Sequence, residues 1–307
     1  MRILIVASGN SDQISPFVKE QAQSLEKKGV VIDFFLIKGR GLFGYLRNYF
    51  YLLDKLKNNK YDILHAHYGL SGLLATMQLS VPVIITFHGS DVNLGKNYIF
   101  SRIASRLSTV NIFVHPKLSE KLKVYREPLN IIPCGVNDDL FYPIPKSEAK
   151  IKLGWKAETR YVLFSSAFDN KIKNVSLANS ALSQIDNYQL IELKGYKKEQ
   201  INLLLNASDL LLVTSISETG PIIVKEALAC NCPIVSTDVG DVKKLINNIS
   251  NCYMTSYEVN DVIKKINLVF MNNKRTNGRK VIKDFTLDKI AVKILPIYKN
   301  VLKKHQK

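Results

Sequence analysis

The sequence predicts an α/β protein made of two doubly wound domains, each a parallel sheet covered by helices on both faces. Short apolar runs alternate with amphipathic segments along the 307 residues. These runs are apolar throughout, which is typical of strands that are buried on both faces of a parallel sheet. The alternation is interrupted once, at residues 137–146, where turn-forming residues and two prolines show no helix or strand period. We therefore expect two successive βα series.

The first series forms an expected N-terminal domain of residues 1–140. Its apolar runs predict strands, and the segments between them have the apolar spacing of helices. The predicted strands are Arg2–Ala7, Val31–Ile37, Asp62–His67, Val83–His88, Val110–His115 and Asn130–Pro133. The predicted helices include Ser15–Lys28, Leu42–Lys57 and Pro116–Tyr125.

Residues 141–155 are expected to link the domains, and residues 156–307 to form the second domain. A final amphipathic helix, Leu287–Lys304, can pack back on the first domain. Because ligands bind outside the carboxyl ends of parallel strands, two such domains facing each other would form a deep central cleft. The other predicted strands are Tyr161–Ser165, Gln189–Leu193, Asp209–Thr214, Pro233–Thr237 and Cys252–Thr255, and the helices include Leu177–Gln184, Glu199–Ala207, Pro221–Ala229 and Val259–Phe270.

The composition is strongly basic, with a formal net charge of +17. Such a charge attracts nucleic acids, acidic lipid headgroups or phosphorylated small molecules. Nucleic acid is disfavoured as a partner, because no helix-turn-helix, RNA-recognition or zinc-finger pattern is present. The N-terminal apolar run is too short for a signal peptide, and no run reaches the roughly 18 residues of a spanning helix. We expect a cytoplasmic protein, soluble or peripheral on the inner face of a membrane.

The cysteines and acidic pairs do not predict a metal site. The cysteines form no CxxC pairs and have no accompanying histidine cluster, so we expect reduced thiols. Asp138-Asp139 lies in the irregular segment between the two series, so no DxD-type metal motif is expected. We therefore expect no metal and no cofactor. The four cysteines are Cys134, Cys230, Cys232 and Cys252.

The sharpest pattern follows the predicted strand Asp209–Thr214. Pro221 suits the first position of a helix, since its missing N–H would be unpaired there anyway. Gly220 would then be the N-cap, and it has no side chain to occupy the free N–H groups of the first turn. The amides of Ile222 and Ile223 would stay available, and the helix dipole favours an anion. The segment predicts a phosphate-binding helix start.

Two glutamates surround this helix start. Glu226 falls on the second turn of the helix, where its carboxylate would accept hydrogen bonds from the hydroxyls of a ribose. Glu218 lies in the loop, where it would accept hydrogen bonds from a sugar attached on the other side of the phosphates. The segment resembles the E-x7-E motif of the retaining glycosyltransferases of family 4, which have the GT-B fold of two Rossmann-like domains. In that family the first Glu contacts the donor sugar and the second the ribose. Residues 206–209, 226–229 and 233–240 are also similar to family stretches.

A second cluster, residues 164–174, follows the first strand of the second domain. Members of the family usually carry an Arg and a Lys here, both on the donor pyrophosphate. The resemblance implies this role for Lys173, with Asn174 beside it, but no Arg precedes Lys173. Lys171 would be a weaker replacement, because a lysine supplies a point charge and no bidentate fork.

Histidines follow two strands of the first domain. The resemblance implies that His88 contacts the donor sugar, while Asp91 either orients His88 or caps a helix. His65 and His67, two positions apart on one strand, are expected to point to opposite faces, which disfavours a shared metal ion. One of them is expected to be buried.

The first βα loop, Ala7–Asn10, lacks the G-x-G-x-x-G pattern of dinucleotide-binding proteins. In the family this loop lies near the transferred sugar and the acceptor. Gly9 would let the backbone approach the ligand closely.

Residues 41–57 form an aromatic and basic helix pattern. This helix either packs within the first domain or lies in a membrane interface, as in family members that act on lipid-linked acceptors. The charge of +17 favours transient contact with anionic lipid.

The resemblance implies transfer of a sugar from a nucleoside diphosphate sugar to a glycan or lipid-linked acceptor. Retention at the anomeric carbon and a setting in bacterial surface polysaccharide assembly are implied as well. Glu218, His88 and Lys173 would act in catalysis. Two alternatives stay open: a GT-B-fold sugar-nucleotide epimerase, which needs no acceptor, and a non-catalytic sugar-nucleotide-binding protein. The expected donor-binding residues are Glu226, Gly220, Ile222, Ile223, Asn174 and Gly9.

Overall fold

The computed structural model describes residues 1–9, 14–39, 41–93, 95, 97–125 and 128–305. They form two compact units. Unit 1 comprises Met1–Gly135 and the C-terminal segment from Leu287, and unit 2 comprises Val136–Thr286. Each unit contains a parallel sheet with helices packed on it, which confirms the predicted α/β class with two doubly wound domains.

Unit 1 begins with a regular βα alternation. Its elements are β1 (Arg2–Ser8), α1 (Pro16–Glu26), β2 (Val31–Ile37), α2 (Gly41–Asn58), β3 (Ile63–His67), α3 (Gly69–Thr76), β4 (Val83–Phe87), α4 (Ser90–Asn93), α5 (Asn97–Leu107), β5 (Val110–Phe113), α6 (Pro116–Leu122) and β6 (Asn130–Ile131). Within the described residues the strands pair in parallel in the order β2-β1-β3-β4-β5-β6. In the central register Ile3 lies between Ile32 and Ile63.

Unit 2 repeats the pattern with a smaller sheet. Its elements are α7 (Lys146–Leu153), β7 (Arg160–Phe164), a 3-10 turn (Lys171–Lys173), α8 (Val175–Leu182), β8 (Tyr188–Ile191), α9 (Lys198–Ala207), β9 (Leu210–Val213), α10 (Ile222–Ala229), β10 (Ile234–Thr237), α11 (Val242–Ile246), β11 (Cys252–Thr255), α12 (Val259–Asn272) and α13 (Arg279–Ile282). The parallel strand order is β11-β10-β9-β7-β8. The last helix, α14 (Leu287–His305), belongs to unit 1.

The sheet of unit 1 is buried on both faces. Leu4 and Val6 pack with α2, α3, α5 and α6, while Ile3 and Ile5 pack with α1 and α14 on the opposite face. Because successive strand residues point to opposite faces, a strand covered on both sides must be apolar at every position. Full burial of one such side chain stabilises the fold by about 1.5–3 kcal/mol, so the continuous apolar runs specify this layered arrangement.

Helix α3 lies deep between α2 and α5 because it contains small residues. A Cβ atom at Gly69 would lie 1.9 Å from Oγ of Ser101 on α5, and one at Gly72 would lie 2.5 Å from Cδ1 of Ile85 on β4. Both glycines therefore set the depth of this helix in the helical layer.

The boundary between the units differs from the expected plan. It falls after Gly135, and residues 141–155 belong to unit 2, where they include α7. The physical reason is a set of contacts made by Asn206, whose Oδ1 accepts from the amide of Ile144 at 2.8 Å and whose Nδ2 donates to the carbonyl of Tyr142 at 3.0 Å. An ion pair between Lys146 and Asp209 adds to them. The two prolines shape a segment packed on unit 2, and the chain passes between the units immediately after Gly135 and again before Leu287.

Candidate active site

The start of α10 lies at the carboxyl edge of the sheet of unit 2. The helix begins at Ile222, with Pro221 in the N-cap position at φ −67° and ψ 115°, one residue later than predicted for a Gly220 cap. The ψ value of Pro221 is extended, so the proline ends the loop and does not join the first turn. The amides of Ile222 and Ile223 make no hydrogen bond to any described residue. Two N–H groups are thus available for an anion, as expected.

The predicted catalytic residues Lys173 and Glu218 form an ion pair. Both side chains are largely buried, and Ser215 Oγ donates a hydrogen bond to Oε1 of Glu218 at 3.0 Å. The two loops are joined by Thr214, whose hydroxyl lies 2.9 Å from the carbonyls of both Lys173 and Asn174. The structure therefore brings a cation from the loop after β7 to a carboxylate from the loop after β9.

Asn174 connects the 3-10 turn to α8. It adopts a left-handed conformation with φ 53°, and its Oδ1 accepts from the hydroxyl of Ser176 at 3.0 Å. Lys171, considered as a replacement for the missing arginine, is exposed on the same turn. These contacts of Asn174 are all within the protein, so its predicted role in donor binding stays a prediction.

Glu226 is buried on the second turn of α10. Its Oε1 lies 3.4 Å from Nζ of Lys198, which comes from the first turn of α9 and also lies 5.8 Å from the ring centre of Phe141. Sequence reasoning missed Lys198. No local pattern marks it, because the two residues are 28 positions apart and meet only when α9 and α10 pack together.

A second ion pair, between Lys225 and Asp241, lies next to the start of α10. Nζ of the buried Lys225 lies 3.0 Å from Oδ2 of Asp241, and Oδ1 of Asp241 is 3.5 Å from where a Gly220 Cβ would stand. Gly240 has φ 56°, and a Cβ there would lie 2.7 Å from the carbonyl oxygen of Thr219. Only a glycine fits this position without strain. The turn after β10 thus packs closely on the loop that carries Glu218.

In unit 1, His88 lies just after β4 with both ring nitrogens near other side chains. Its Nε2 is 3.0 Å from Nδ1 of His67, and its Nδ1 is 3.7 Å from Sγ of Cys134. Burial, with a smaller contribution from His65, lowers the pKa of His88 to about 3. A neutral imidazole acts through hydrogen bonding and shape, not through charge.

The expectation that His65 and His67 point to opposite faces is wrong. Residues i and i+2 of a strand share a face, and the two rings stack with centres 4.7 Å apart. Both histidines are fully buried. His65 Nδ1 lies 2.6 Å from the hydroxyl of Tyr298 on α14, and Nε2 lies 2.8 Å from that of Thr86. Burial lowers the pKa of both imidazoles, that of His65 to about 3.

Asp91 holds the backbone of the loop around His88 through hydrogen bonds to three amides. Its Oδ1 accepts from the amides of Gly89 at 2.8 Å and His88 at 3.2 Å, and its Oδ2 accepts from that of Gly69 at 3.0 Å. Burial raises the pKa of this carboxyl group. Asp91 therefore fixes where the loop after β4 meets α3.

Gly9 is required for packing between two strands. Its amide donates to the carbonyl of Ile37 at 2.9 Å, and a Cβ would lie 2.8 Å from Cβ of Leu36. The absence of a side chain thus has a local structural reason, while its predicted role near the ligand stays a prediction. Asn10, at the end of the same loop, lies outside the described residues.

The four cysteines are free thiols. Burial raises the pKa of Cys230, Cys232 and Cys252, that of Cys252 to about 12, so these thiols are protonated near neutral pH. Among the described residues, no three His, Cys, Asp or Glu side chains gather as a metal site would require. In the same residues no helix is both long and apolar enough to span a bilayer.

Comparison with known families now identifies the chain. Residues 11–140 match Glycosyltransferase Family 4, and residues 183–283 match Glycosyl transferases group 1. The chain belongs to the group 1 glycosyltransferases. These two matches fall on the two halves that the sequence pattern separated, and they confirm the resemblance carried by Glu218 and Glu226.

Three similar proteins agree with this assignment. An uncharacterized glycosyltransferase of Methanocaldococcus jannaschii, MJ1178, is 26% identical over 307 residues, with 87% of this chain and 83% of that protein covered. TuaC of Bacillus subtilis, a putative teichuronic acid biosynthesis glycosyltransferase, is 27% identical over 213 residues, covering 60% of this chain and 55% of TuaC. The crystal structure of Anabaena Alr3699/HepE in complex with UDP-glucose has a TM-score of 0.77 at 15% identity, covering 98% of this chain and 100% of that one. The fold is that of the GT-B glycosyltransferases.

Proposed function

We propose that this glycosyltransferase moves a sugar from a nucleoside diphosphate sugar to a glycan or lipid-linked acceptor, with retention, in bacterial surface polysaccharide assembly. The observation that carries the proposal is the Lys173–Glu218 ion pair beside the free amides that begin α10. The similarity to TuaC supports the polysaccharide setting, and the UDP-glucose complex of HepE supports the donor class.

The donor would be held by the start of α10. The amides of Ile222 and Ile223 bind the diphosphate, which the helix dipole also favours. Glu226, one turn further along the same helix, accepts the ribose hydroxyls. Gly220 leaves the approach to these amides open, because it has no side chain.

Lys173 and Glu218 exchange partners when the donor binds. The ammonium of Lys173 turns from Glu218 to the diphosphate, and the released carboxylate accepts hydroxyls of the transferred sugar. This exchange leaves neither group without a partner, since Lys173 then faces the diphosphate and Glu218 accepts hydrogen bonds from Ser215 and the sugar. That matters because an unpaired, largely buried charge costs several kcal/mol. Asn174, at the end of the same turn, contacts the phosphates.

In the reaction, the bond between the anomeric carbon and the diphosphate oxygen breaks, and the diphosphate leaves with the electron pair. Lys173 and the α10 amides stabilise the negative charge that develops there. The acceptor hydroxyl attacks from the same face and gives its proton to the departing phosphate oxygen, which retains the configuration. Glu218 and the neutral His88 position the sugar, Gly9 lies near it, and turnover needs no metal ion.

The proposed location is the cytoplasmic face of the cell membrane. Helix α2 exposes Phe43 and Phe50 and carries Arg47 and Lys55. An amphipathic helix with aromatic and basic residues can lie in the headgroup region of a bilayer. Such contact would bring the enzyme to lipid-linked acceptors.

A donor panel tests the proposal. UDP-, GDP- and ADP-sugars are screened for thermal stabilisation of the protein, since a ligand that binds the folded state raises its apparent stability. We expect one donor to stabilise wild type but not Glu226→Ala, with the exposed Glu199→Ala as matched control. Equal stabilisation of Glu226→Ala would contradict the ribose assignment.

Turnover is then followed with the identified donor. Donor consumption that requires an acceptor supports transfer, while consumption without acceptor indicates an epimerase, and no consumption indicates a binding protein. NMR of the product establishes the anomeric configuration. We expect Lys173→Ala to reduce kcat by a factor of 100 or more, on the order reported for loss of one transition-state donor. Full turnover by that variant would refute its role.

A further inference from the structure

Three histidines lie side by side on one face of the sheet of unit 1. His65 and His67 belong to β3, and His88 directly follows β4, which pairs with β3 in parallel. His65 bonds to Thr86, 21 positions further along the chain. His67 bonds to His88 by the same diagonal step of 21 positions. The strand register therefore connects His88 to a row of buried imidazoles.

The contact between His67 and His88 is a hydrogen bond between two neutral rings. Nδ1 of His67 lies 3.0 Å from Nε2 of His88, and the two ring planes are inclined by 20°. Burial lowers the pKa of both imidazoles, so neither is charged near neutral pH. A neutral imidazole has one N–H and one bare nitrogen. One ring therefore donates and the other accepts, and two arrangements of the protons are possible.

The buried Nε2 of His67 decides between these arrangements. Within the described residues this atom has no hydrogen-bond partner, whereas both nitrogens of His65 have hydroxyl partners, from Tyr298 and Thr86. If His88 donated, the proton of His67 would lie on Nε2, as a buried N–H without an acceptor. Such an N–H is rarer in folded proteins than an acceptor without a donor. Hence His67 keeps its proton on Nδ1 and donates it to Nε2 of His88.

The proton of His88 is then on Nδ1, on the side of Cys134. Sγ of Cys134 lies 3.7 Å from this nitrogen, and sulfur is a weak acceptor. The rings of Phe17 and Tyr68 lie 4.9 and 4.6 Å from the centre of the imidazole. His88 and Cys134 are both partly exposed. Because Nε2 faces the buried His67, the Nδ1 edge is the polar part of this ring that a ligand can reach.

We propose that His67 is a positioning residue for His88. It holds the imidazole of His88 in the Nδ1–H form, so that His88 presents a hydrogen-bond donor on its accessible edge. An oxygen of a ligand is a stronger acceptor than the sulfur of Cys134 and takes its place at this N–H. That last step rests on the proposed function, because the oxygen belongs to a hydroxyl of the transferred sugar. The tautomer is a property of the free protein and does not depend on the donor.

Nitrogen NMR of the full-length protein measures this tautomer directly. The chain has five histidines, so labelling histidine with nitrogen-15 gives five ring systems, which single replacements of each histidine assign. Long-range correlations with the carbon-bound ring protons distinguish an N–H from a bare nitrogen. At neutral pH and without a ligand, we expect both His67 and His88 to carry the proton on Nδ1. A proton on Nε2 of His88 would overturn the proposal, whatever the activity of the protein.

Two substitutions of His67 test which group sets the tautomer. His67→Leu removes the donor, and His88 should then lose the exclusive Nδ1–H form. His67→Asn places an amide N–H near the position of Nδ1 and should restore that form. His115→Gln is the matched control, because it changes the histidine that caps α6, and it should leave the signals of His88 unchanged.

Two results with these variants would assign the tautomer to another group. One is an unchanged tautomer of His88 in His67→Leu. The other is a tautomer that switches in Cys134→Ala but not in His67→Leu. Thermal unfolding checks that each variant is folded, and the wild-type spectrum decides the tautomer by itself if His67→Leu does not fold.

Turnover with the identified donor tests the sugar contact separately. His67→Leu should lower kcat/KM on the order of tenfold, the size of one lost hydrogen bond. His67→Asn should recover most of this loss, and His115→Gln should match wild type. A lost tautomer in His67→Leu with wild-type kcat/KM would refute the contact between His88 and the sugar. A wild-type protein that shows the expected tautomer but consumes no donor would count against the proposed function alone.

Discussion

Acidification is expected to destabilise unit 1 through the buried His65. Burial lowers the pKa of this imidazole to about 3 in the folded protein, whereas an unfolded chain has a histidine pKa near 6.5. Below pH 6.5 the unfolded chain takes up a proton that the folded state does not. Stability from the neutral histidine is thus present above pH 6.5 and is lost as pH falls toward 3. Between pH 7 and pH 5 the loss is about 2 kcal/mol from this site alone.

Urea unfolding followed by far-UV circular dichroism at pH 7, 6 and 5 measures this effect. The comparison is between wild type and His65→Gln, which keeps polar atoms near Tyr298 and Thr86 but does not titrate. We expect the free energy of unfolding of wild type to fall by about 2 kcal/mol more than that of the variant over this range. His305→Gln, at an exposed position, should keep the wild-type pH dependence. Equal pH dependence of wild type and His65→Gln would refute the reasoning.

Three further substitutions test the packing, each by urea unfolding at neutral pH. Lys225→Met should lower the free energy of unfolding by about 3 kcal/mol, because it leaves the Asp241 carboxylate uncompensated, and Lys225→Met with Asp241→Asn should recover most of that loss. Gly69→Ala should cost about 1–3 kcal/mol, since its Cβ would overlap Ser101, and Ser101→Gly should recover only part of this loss, because Cα of residue 101 would still lie 2.7 Å from the new Cβ. Asn206→Ala should cost about 2 kcal/mol by leaving backbone groups before α7 unpaired; an unchanged value would mean that this segment is held by other contacts.

The local structure around Glu218 and Glu226 was predictable from the sequence. Glu218, Gly220 and Glu226 lie within one short segment, so strand, loop and helix could be predicted together from a proline, a glycine and an apolar run. The one-residue shift of the helix start arises because Pro221 tolerates both the cap and the first helical position. The fold class was predictable for a similar reason, since fully apolar runs indicate buried parallel strands.

The parts that depend on distant residues were not predictable. Lys198 reaches Glu226 only through the packing of α9 on α10, and Asp241 meets Lys225 only where the turn after β10 folds over the helix start. No alternation or motif encodes these pairings. The wrong prediction that His65 and His67 point to opposite faces did not depend on distant residues. Side chains of a strand alternate between faces, so residues two positions apart lie on the same face.

The return of α14 to unit 1 has a consequence for the order in which the chain acquires structure during synthesis. Unit 2 is continuous in sequence and can complete its core as soon as residue 286 has emerged. Unit 1 cannot, because Ile290, Ile294 and Tyr298 help to cover one face of its sheet and are synthesised only after unit 2. Until then Ile3 and Ile5 are covered by α1 alone, and His65 lacks its phenol partner. The unit that begins first in translation is therefore the unit that is completed later, and a nonsense mutation near codon 287 would spare unit 2 while leaving the sheet of unit 1 partly exposed.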